Sequence, residues 1–287
     1  MLVELAVGDA YGAGFEYVSD RRFISKHNDL SAYIKHPKHK QKPGTYTDDT
    51  QMSLAIAELI VEQADWTPEN IASRFLEVFH RDRRPGYAGG FFAFLKKTKK
   101  GKDFLDNIRP NSDKSGAAMR ACPIGIYPTA KEVIDRCSLQ ASLTHNTPDG
   151  TNAAVAASLM THYFLYKLGE KAGLGNFLCS YVPGKWDEPW VGEVGSRGWM
   201  SVRAAITSLM KNDSLAAILK SSIAWGGDTD TVATIALAAG SCCDEIKQDL
   251  PDNLLHKLEN SQYGHSYLSD LDKKLERIRK DLHAKGR

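Results

Sequence analysis

The sequence predicts an all-α fold, on three observations. Apolar residues recur at three-to-four spacing in segment after segment, the period of a helix with one buried face. Convincing strand-like alternation is almost absent. Small residues are dense, above all Ala153, Ala154, Ala156 and Ala157, which lets helices approach closely.

The opening Met1-Leu2-Val3-Glu4-Leu5-Ala6 is already helical in character and leaves no room for a targeting segment. Residues 51–63 carry Met52, Leu54, Ala55, Ile56, Leu59 and Ile60 as a broad apolar stripe. Trp66-Thr67-Pro68-Glu69 marks a helix start, with Thr67 as N-cap, Pro68 at the first position, and Ile71, Phe75, Val78 and Phe79 on the apolar face. Further helices are expected over 130–142, 151–168, 202–209, 215–223, 231–240, 251–260 and 267–283. Glycine-containing loops are expected at 8–16, 86–90, 112–125, 144–150, 181–198 and 226–231. The stretch from Tyr181 to Met200 is long and holds Trp186, Trp190 and Trp199, which either pack or contact a ligand.

At 287 residues, 42 % hydrophobic and 25 % charged, the chain can bury a sizeable core. A net charge of +2 gives no reason to expect nucleic acid as a partner, and the basic runs at 35–42, 96–102 and the C-terminal tail read as solvated faces. Five cysteines without a CxxC pair suggest reduced thiols in a cytoplasm, and no apolar run is long enough for a membrane span.

Thr47-Asp48-Asp49-Thr50 and Asp228-Thr229-Asp230-Thr231 lie about 180 residues apart, and each precedes an apolar helical run. A helix cap needs one side-chain oxygen; each cluster supplies two carboxylates beside threonine hydroxyls. Gly226 and Gly227 allow a tight turn into the second cluster. If the clusters share a site, the fold closes across most of the chain, which favours one domain over 1–287. Four carboxylates brought together repel, and two divalent cations would cancel their charge. Oxygen-only ligands suit Mg²⁺, Mn²⁺ or Ca²⁺ rather than zinc or copper.

Other motifs carry less. Gly8-Asp9-Ala10-Tyr11-Gly12-Ala13-Gly14-Phe15-Glu16 is neither GxGxxG nor a Walker sequence; its glycines would permit close backbone approach to a ligand, with Glu16 reaching into the site. The small, polar stretch from Ser112 to Arg120 could hold a phosphate. His145 at a helix boundary reads as a cap or surface residue. His36-Pro37-Lys38-His39 has the spacing of a metal pair but lies in a Lys/Pro-rich loop. Diphosphate chemistry of the prenyl-synthase kind is excluded, because the third acid it needs is Met52 here, and no GxSxG nucleophile is present.

The ordered series resembles the ADP-ribosylglycohydrolase family across residues 5–240. Its elements are Gly8-Asp9-Ala10 with Glu16, Thr47-Asp48-Asp49-Thr50, Gly86-Tyr87, Ser112 with Gly116 and Met119-Arg120, Leu143-Thr144-His145, and Gly227-Asp228-Thr229-Asp230-Thr231. The resemblance implies a compact, single-domain, orthogonal helical bundle. It also implies a binuclear centre of two divalent cations, Mg²⁺ or Mn²⁺, held by Thr47, Asp48, Asp49, Asp228, Asp230 and Thr231. Asp49 or Glu16 would act as base, and Gly86, Tyr87, Gly90, Ser112, Gly116 and His145 would surround ADP-ribose. The implied reaction cleaves the C1″ glycosidic bond of an ADP-ribosylated protein or a small ADP-ribose compound. Arginine is the expected acceptor, with serine, a nucleobase or an O-acetyl ester as alternatives. A binding protein that masks an ADP-ribosylating toxin is the second function class. Two departures stand out: Lys114-Ser115-Gly116 replaces the family's Gly-Asn-Gly, and Ala88 replaces the second glycine of Gly-Tyr-Gly.

Overall fold

The computed structural model describes residues 1–285, and among these every regular element is helical. In chain order the α-helices are α1 (Leu2–Gly12), α2 (Arg21–His27), α3 (Asp48–Val61), α4 (Pro68–Arg81), α5 (Gly89–Lys97), α6 (Gly101–Asn107) and α7 (Ala130–Ser142). They continue with α8 (Pro148–Leu165), α9 (Leu174–Tyr181), α10 (Gly198–Lys211), α11 (Leu215–Ala224), α12 (Thr229–Gly240), α13 (Asp252–Lys257) and α14 (His265–Lys285). The only pairing of extended backbone among the described residues is a few isolated bridges, such as Asn111 with His145. Among the described residues no helix is long and apolar enough to cross a membrane.

Helices α3, α8 and α12 form the centre. Every residue of α12 is buried, and α3 is buried from Asp48 to Ile60. Their small side chains make this possible: a helix rich in Ala233, Ala236, Ala238 and Ala239 can be surrounded on all sides. Helix α12 packs against α1, α3, α8, α10 and α11. Helices α1 and α12 meet most closely, since a Cβ on Gly8 would stand 2.6 Å from the Ala233 carbonyl oxygen and one on Gly12 would stand 2.4 Å from the Asp230 Cα. The glycines expected to admit a ligand therefore admit a helix. At the far end of α1, the Asp272 carboxylate of α14 accepts the Leu2 N–H at 3.0 Å and the Val3 N–H at 3.2 Å. This supplies a cap that α1's own sequence lacks.

The expected helices are present, with ends displaced by a few residues. Ala130–Ser142 is matched residue for residue, and Thr67 caps α4 by accepting the Asn70 N–H at 3.2 Å. The loop expected at 8–16 is helical through Gly12. The 86–90 loop ends where α5 begins, at Gly89. Helices α2, α5, α6 and α9 lie where no regular element was expected; none exceeds nine residues, too short for a persuasive apolar period. The 112–125 segment holds two short 3₁₀ turns, Ser115–Ala117 and Cys122–Ile126.

Candidate active site

Packing α3 beside α12 brings the two distant acidic clusters together at their helix N-termini. Thr47 is the N-cap of α3, with Asp48 and Asp49 in its first turn. Asp228 is the N-cap of α12, with Asp230 in its first turn. Both helix dipoles thus point their positive ends at carboxylates. Gly226 and Gly227 lead into the second cluster at φ +71° and +77°. A Cβ on Gly227 would lie 1.8 Å from the Val194 carbonyl oxygen, so only glycine fits this turn.

The carboxylates are buried and lack cationic partners. Asp9, Asp48, Asp49, Asp228 and Asp230 are at most 9 % exposed, and among the described residues none forms an ion pair with a lysine or arginine. Glu16, Asp228 and Asp230 each offer a carboxylate oxygen, and these atoms lie within 4.8 Å of one another. Asp49 Oδ2 is buried without a hydrogen-bond partner. Burial raises every one of these acids above its ordinary range, Asp48, Asp49 and Asp230 furthest. Neighbouring carboxylates add to this: Asp9 and Glu16 push on Asp48, while Glu16 and Asp49 push on Asp230. Burial, then Asp228 and Asp9, push Glu16 up to about 7. An oxygen-only donor set with an orphaned buried carboxylate oxygen fits a hard divalent cation.

Neutral groups hold this cluster in shape. Asp9 accepts from the Thr47 N–H (2.9 Å), the Thr47 hydroxyl (2.8 Å), the Thr50 N–H (3.0 Å) and the Thr50 hydroxyl (2.6 Å). It clamps the turn that carries Asp48 and Asp49. Ser201 donates to Asp228 Oδ2 at 3.1 Å, and the Thr229 hydroxyl donates to the Gly12 carbonyl at 3.0 Å. The Val194 carbonyl accepts the Asp228 N–H at 3.0 Å, so the long 182–197 loop braces the second acidic turn.

A cavity of about 560 Å³ opens over the cluster, lined by Glu16, Asp48, Asp49, Asp228, Asp230 and Thr231 at its base. Its walls include Gly86, Gly90, Ser112, Gly116 and His145, which the family resemblance implies would surround ADP-ribose. Gly86 has φ +104°, and a Cβ there would come 1.9 Å from Asp48 Oδ1. His145 is buried, its Nδ1 lies 2.7 Å from the Thr144 hydroxyl, and burial and then Arg120 lower its pKa to about 3, so the ring is neutral.

Two expected contacts lie elsewhere. Thr47 is absent from the cavity wall, its hydroxyl being turned to Asp9. Tyr87 is also absent; its hydroxyl donates to Gln51 Oε1 at 2.7 Å. The tryptophans pack. Trp186 and Trp190 are buried and donate to the Val182 and Gly192 carbonyls, Trp199 meets Trp190 edge-on, and none of the three lines the cavity.

Sequence reasoning missed Phe91 and Phe94, which form an apolar wall, and Arg109, which lines the cavity together with Lys114 of the expected phosphate-holding stretch. These sit on the unexpected α5 and in loops without a distinctive pattern. It also assigned no role to Asp9, whose partners are remote in sequence. Arg120 lines the cavity as well, but its guanidinium donates to Gln140 Oε1 at 2.6 Å and Thr144 Oγ1 at 2.8 Å.

An all-α protein that gathers carboxylates from three segments under a single cavity defines the class. The family model described as ADP-ribosylglycohydrolase matches residues 1–286, and the chain belongs to that family. It is 29 % identical to the ADP-ribosylhydrolase ARH3 of Xenopus tropicalis over 174 residues, 57 % of this chain and 49 % of that protein. It is 26 % identical to the ADP-ribosyl-dinitrogen reductase glycohydrolase of Rhodospirillum rubrum over 274 residues, 89 % of this chain and 87 % of that protein. The matched part thus spans about half the length of the ARH3 proteins and most of the bacterial one. Among solved structures, an ADP-ribosylglycohydrolase-related protein complex superposes with a TM-score of 0.75 at 20 % identity, covering 97 % of this chain and 96 % of that one, so the fold is shared.

Proposed function

We propose that this protein is a hydrolase that removes ADP-ribose from a modified acceptor by cleaving the C1″ glycosidic bond, with arginine as the acceptor. The observation that carries the reading is the nest of buried carboxylates, free of cationic side chains, at the base of a cavity whose size suits a nucleotide. Family membership supports it, as does the near full-length match to the Rhodospirillum enzyme.

Asp48, Asp49, Asp228, Asp230 and Thr231 line the base and would hold two divalent cations, Mg²⁺ or Mn²⁺, with Thr47 turned toward Asp9 behind them. Bound cations would supply charge to grip ribose hydroxyls and to lower the pKa of a water. Asp49 or Glu16 would take the proton of the attacking water. Glu16 is suited to this because its carboxylate lines the cavity beside Asp228 and Asp230, and Asp49 because Oδ2 is unpartnered. Phe91 and Phe94 offer the apolar wall that a base needs, and Arg109 and Lys114 offer cations at the mouth for phosphate oxygens. Two lesser readings accompany this one. Free thiols at all five cysteines support a reducing, cytoplasmic setting. The capping of α1 by Asp272 of α14 supports one domain.

The test is release of ADP-ribose from peptides modified on arginine, on serine, and from a modified oligonucleotide, with and without Mg²⁺ or Mn²⁺. The reading expects cation-dependent release from arginine. Release that persists in EDTA or in Asp230→Ala would overturn it.

A further inference from the structure

A second groove adjoins the cavity at the edge of the carboxylate cluster. This groove, of about 790 Å³, shares Glu16 and Gly86 with the cavity and runs between the 39–45 loop, the 82–87 segment and the 259–261 turn. Two of its acids share one cationic partner: Arg84 pairs with Asp82 at 2.5 Å and with Glu259 at 2.6 Å, its guanidinium stacked 3.9 Å from the Tyr46 ring. Three of its cations are unpaired. Lys40, Lys42 and Arg83 are exposed, and among the described residues they make no ion pair. The groove therefore presents unspent positive charge beside an acidic floor.

The histidine pair explains how this loop is tied to the site. His36 is buried; its Nδ1 accepts the Lys38 and His39 N–H groups at 3.0 and 2.9 Å. With Nδ1 an acceptor, Nε2 carries the proton and donates to the Glu16 carbonyl at 2.8 Å. His39 stacks on His36 at 4.0 Å and brings Nδ1 to 4.0 Å from Glu16 Oε2. The spacing that suggests a metal pair instead bolts the lysine-bearing loop to the backbone of Glu16.

We propose that this groove receives the polypeptide bearing the ADP-ribose, and that Lys40, Lys42 and Arg83 select acceptors whose modified residue is flanked by acidic side chains. The inference rests on the function proposed above and names its acceptor class. A glycosidic bond held at the cluster has its nucleotide in the cavity, and the adjoining groove gives its acceptor a path away from Glu16. Glu16 and Gly86 are the residues that face both. The leaving atom meets Glu16, while the chain on either side runs past the three free cations. The groove holds a few residues of extended peptide rather than a folded surface. A phosphate backbone fits less well, because Glu16, Asp82 and Glu259 interrupt any continuous basic track.

Fluorescein-labelled peptides with acidic, neutral or basic flanks, carrying a non-hydrolysable ADP-ribose linkage, bound with Mg²⁺ and read by anisotropy, decide the matter without turnover. The acid-flanked peptide should bind about tenfold tighter than the base-flanked one at low salt, with the margin shrinking as salt rises. The triple variant K40E/K42E/R83E should reverse that order, and K40Q/K42Q/R83Q should erase it. Equal affinities in the wild-type protein, or a preference that survives both variants, would overturn the proposal. So would a single-stranded oligonucleotide that binds more tightly than the acid-flanked peptide. Hydrolysis of free ADP-ribosyl-arginine by the wild-type protein with Mg²⁺ tests the underlying function separately.

Discussion

Two buried acidic centres lie on the same helix, α3, and they are built on opposite plans. At its N-terminus, Asp48 and Asp49 join Asp9, Asp228 and Asp230 with no cation among them. Further along, Glu58 is only 3 % exposed and sits between two arginines. Arg74 Nη1 lies 2.8 Å and Arg81 Nη1 3.1 Å from Glu58 Oε2, while the Tyr267 hydroxyl donates to Oε1 at 2.6 Å. The Glu58 centre is electrically complete, and it joins α3, α4 and α14. Among the described residues the N-terminal centre has no lysine or arginine paired with it, and four of its acids, Asp48, Asp49, Asp228 and Asp230, line the cavity. Buried charge serves cohesion where the protein supplies its partner, and function where the partner comes from solution.

The sharpest way to break this contrast is Asp230→Ala, or Asp48→Ala. Activity should fall on the order of 10³-fold, since a cation ligand is lost where charge develops. The metal-free protein should nevertheless melt about 2–4 °C higher in Asp230→Asn, because relieving one like charge is worth about 1 kcal/mol. Divalent cation should raise the melting temperature of the wild type but not of that variant. A variant that melts lower without metal would show that the cluster is a structural centre after all.

Gly86→Ala should cost roughly a hundredfold in activity. Its Cβ would be forced to within 1.9 Å of Asp48 Oδ1 at a φ of +104°, so the carboxylate must turn away. Asp9→Asn sharpens the comparison from within the cluster. Asp9 is buried like its neighbours, yet four neutral donors satisfy it and no cavity wall includes it. An amide cannot accept all four bonds. The Asp48-Asp49 turn should loosen, and cation affinity measured by calorimetry should drop about 10–100-fold.

These residues differ in how legible they were. Asp48, Asp49, Asp228 and Asp230 stand out because doubled acids at two helix starts exceed what capping needs. The longer helices were readable from period and caps, as Thr67 and Pro68 show for α4. Asp9 was hidden because its meaning lies in Thr47 and Thr50, and only tertiary packing brings them within 3 Å. Gly8 and Gly12 looked like a ligand loop because glycine reports close approach without saying what approaches. Phe91 and Phe94 were missed with α5, a nine-residue helix with no side-chain cap at its start. His36 and His39 were set aside as a poor metal pair, and a ring that accepts two backbone N–H groups leaves no pattern a spacing rule can read.

The smallest expected change in activity, and the control on the whole comparison, is Glu58→Ala. Removing this acid weakens the pairing of Arg74 and Arg81 on a partly buried surface, although Arg74 keeps Glu62 and Glu77 and Arg81 keeps Glu77 as partners. The loss should be about 2–3 kcal/mol, below the value for a fully buried pair, and a fall of roughly 5–10 °C in melting temperature. Turnover per folded molecule at 20 °C should stay within about twofold, because Glu58 lies outside the cavity wall. The rise in melting temperature on adding Mg²⁺ should match that of the wild type, as independent sites add. If the Mg²⁺ increment shrinks instead, the two centres are coupled along α3 and the division between cohesion and function fails.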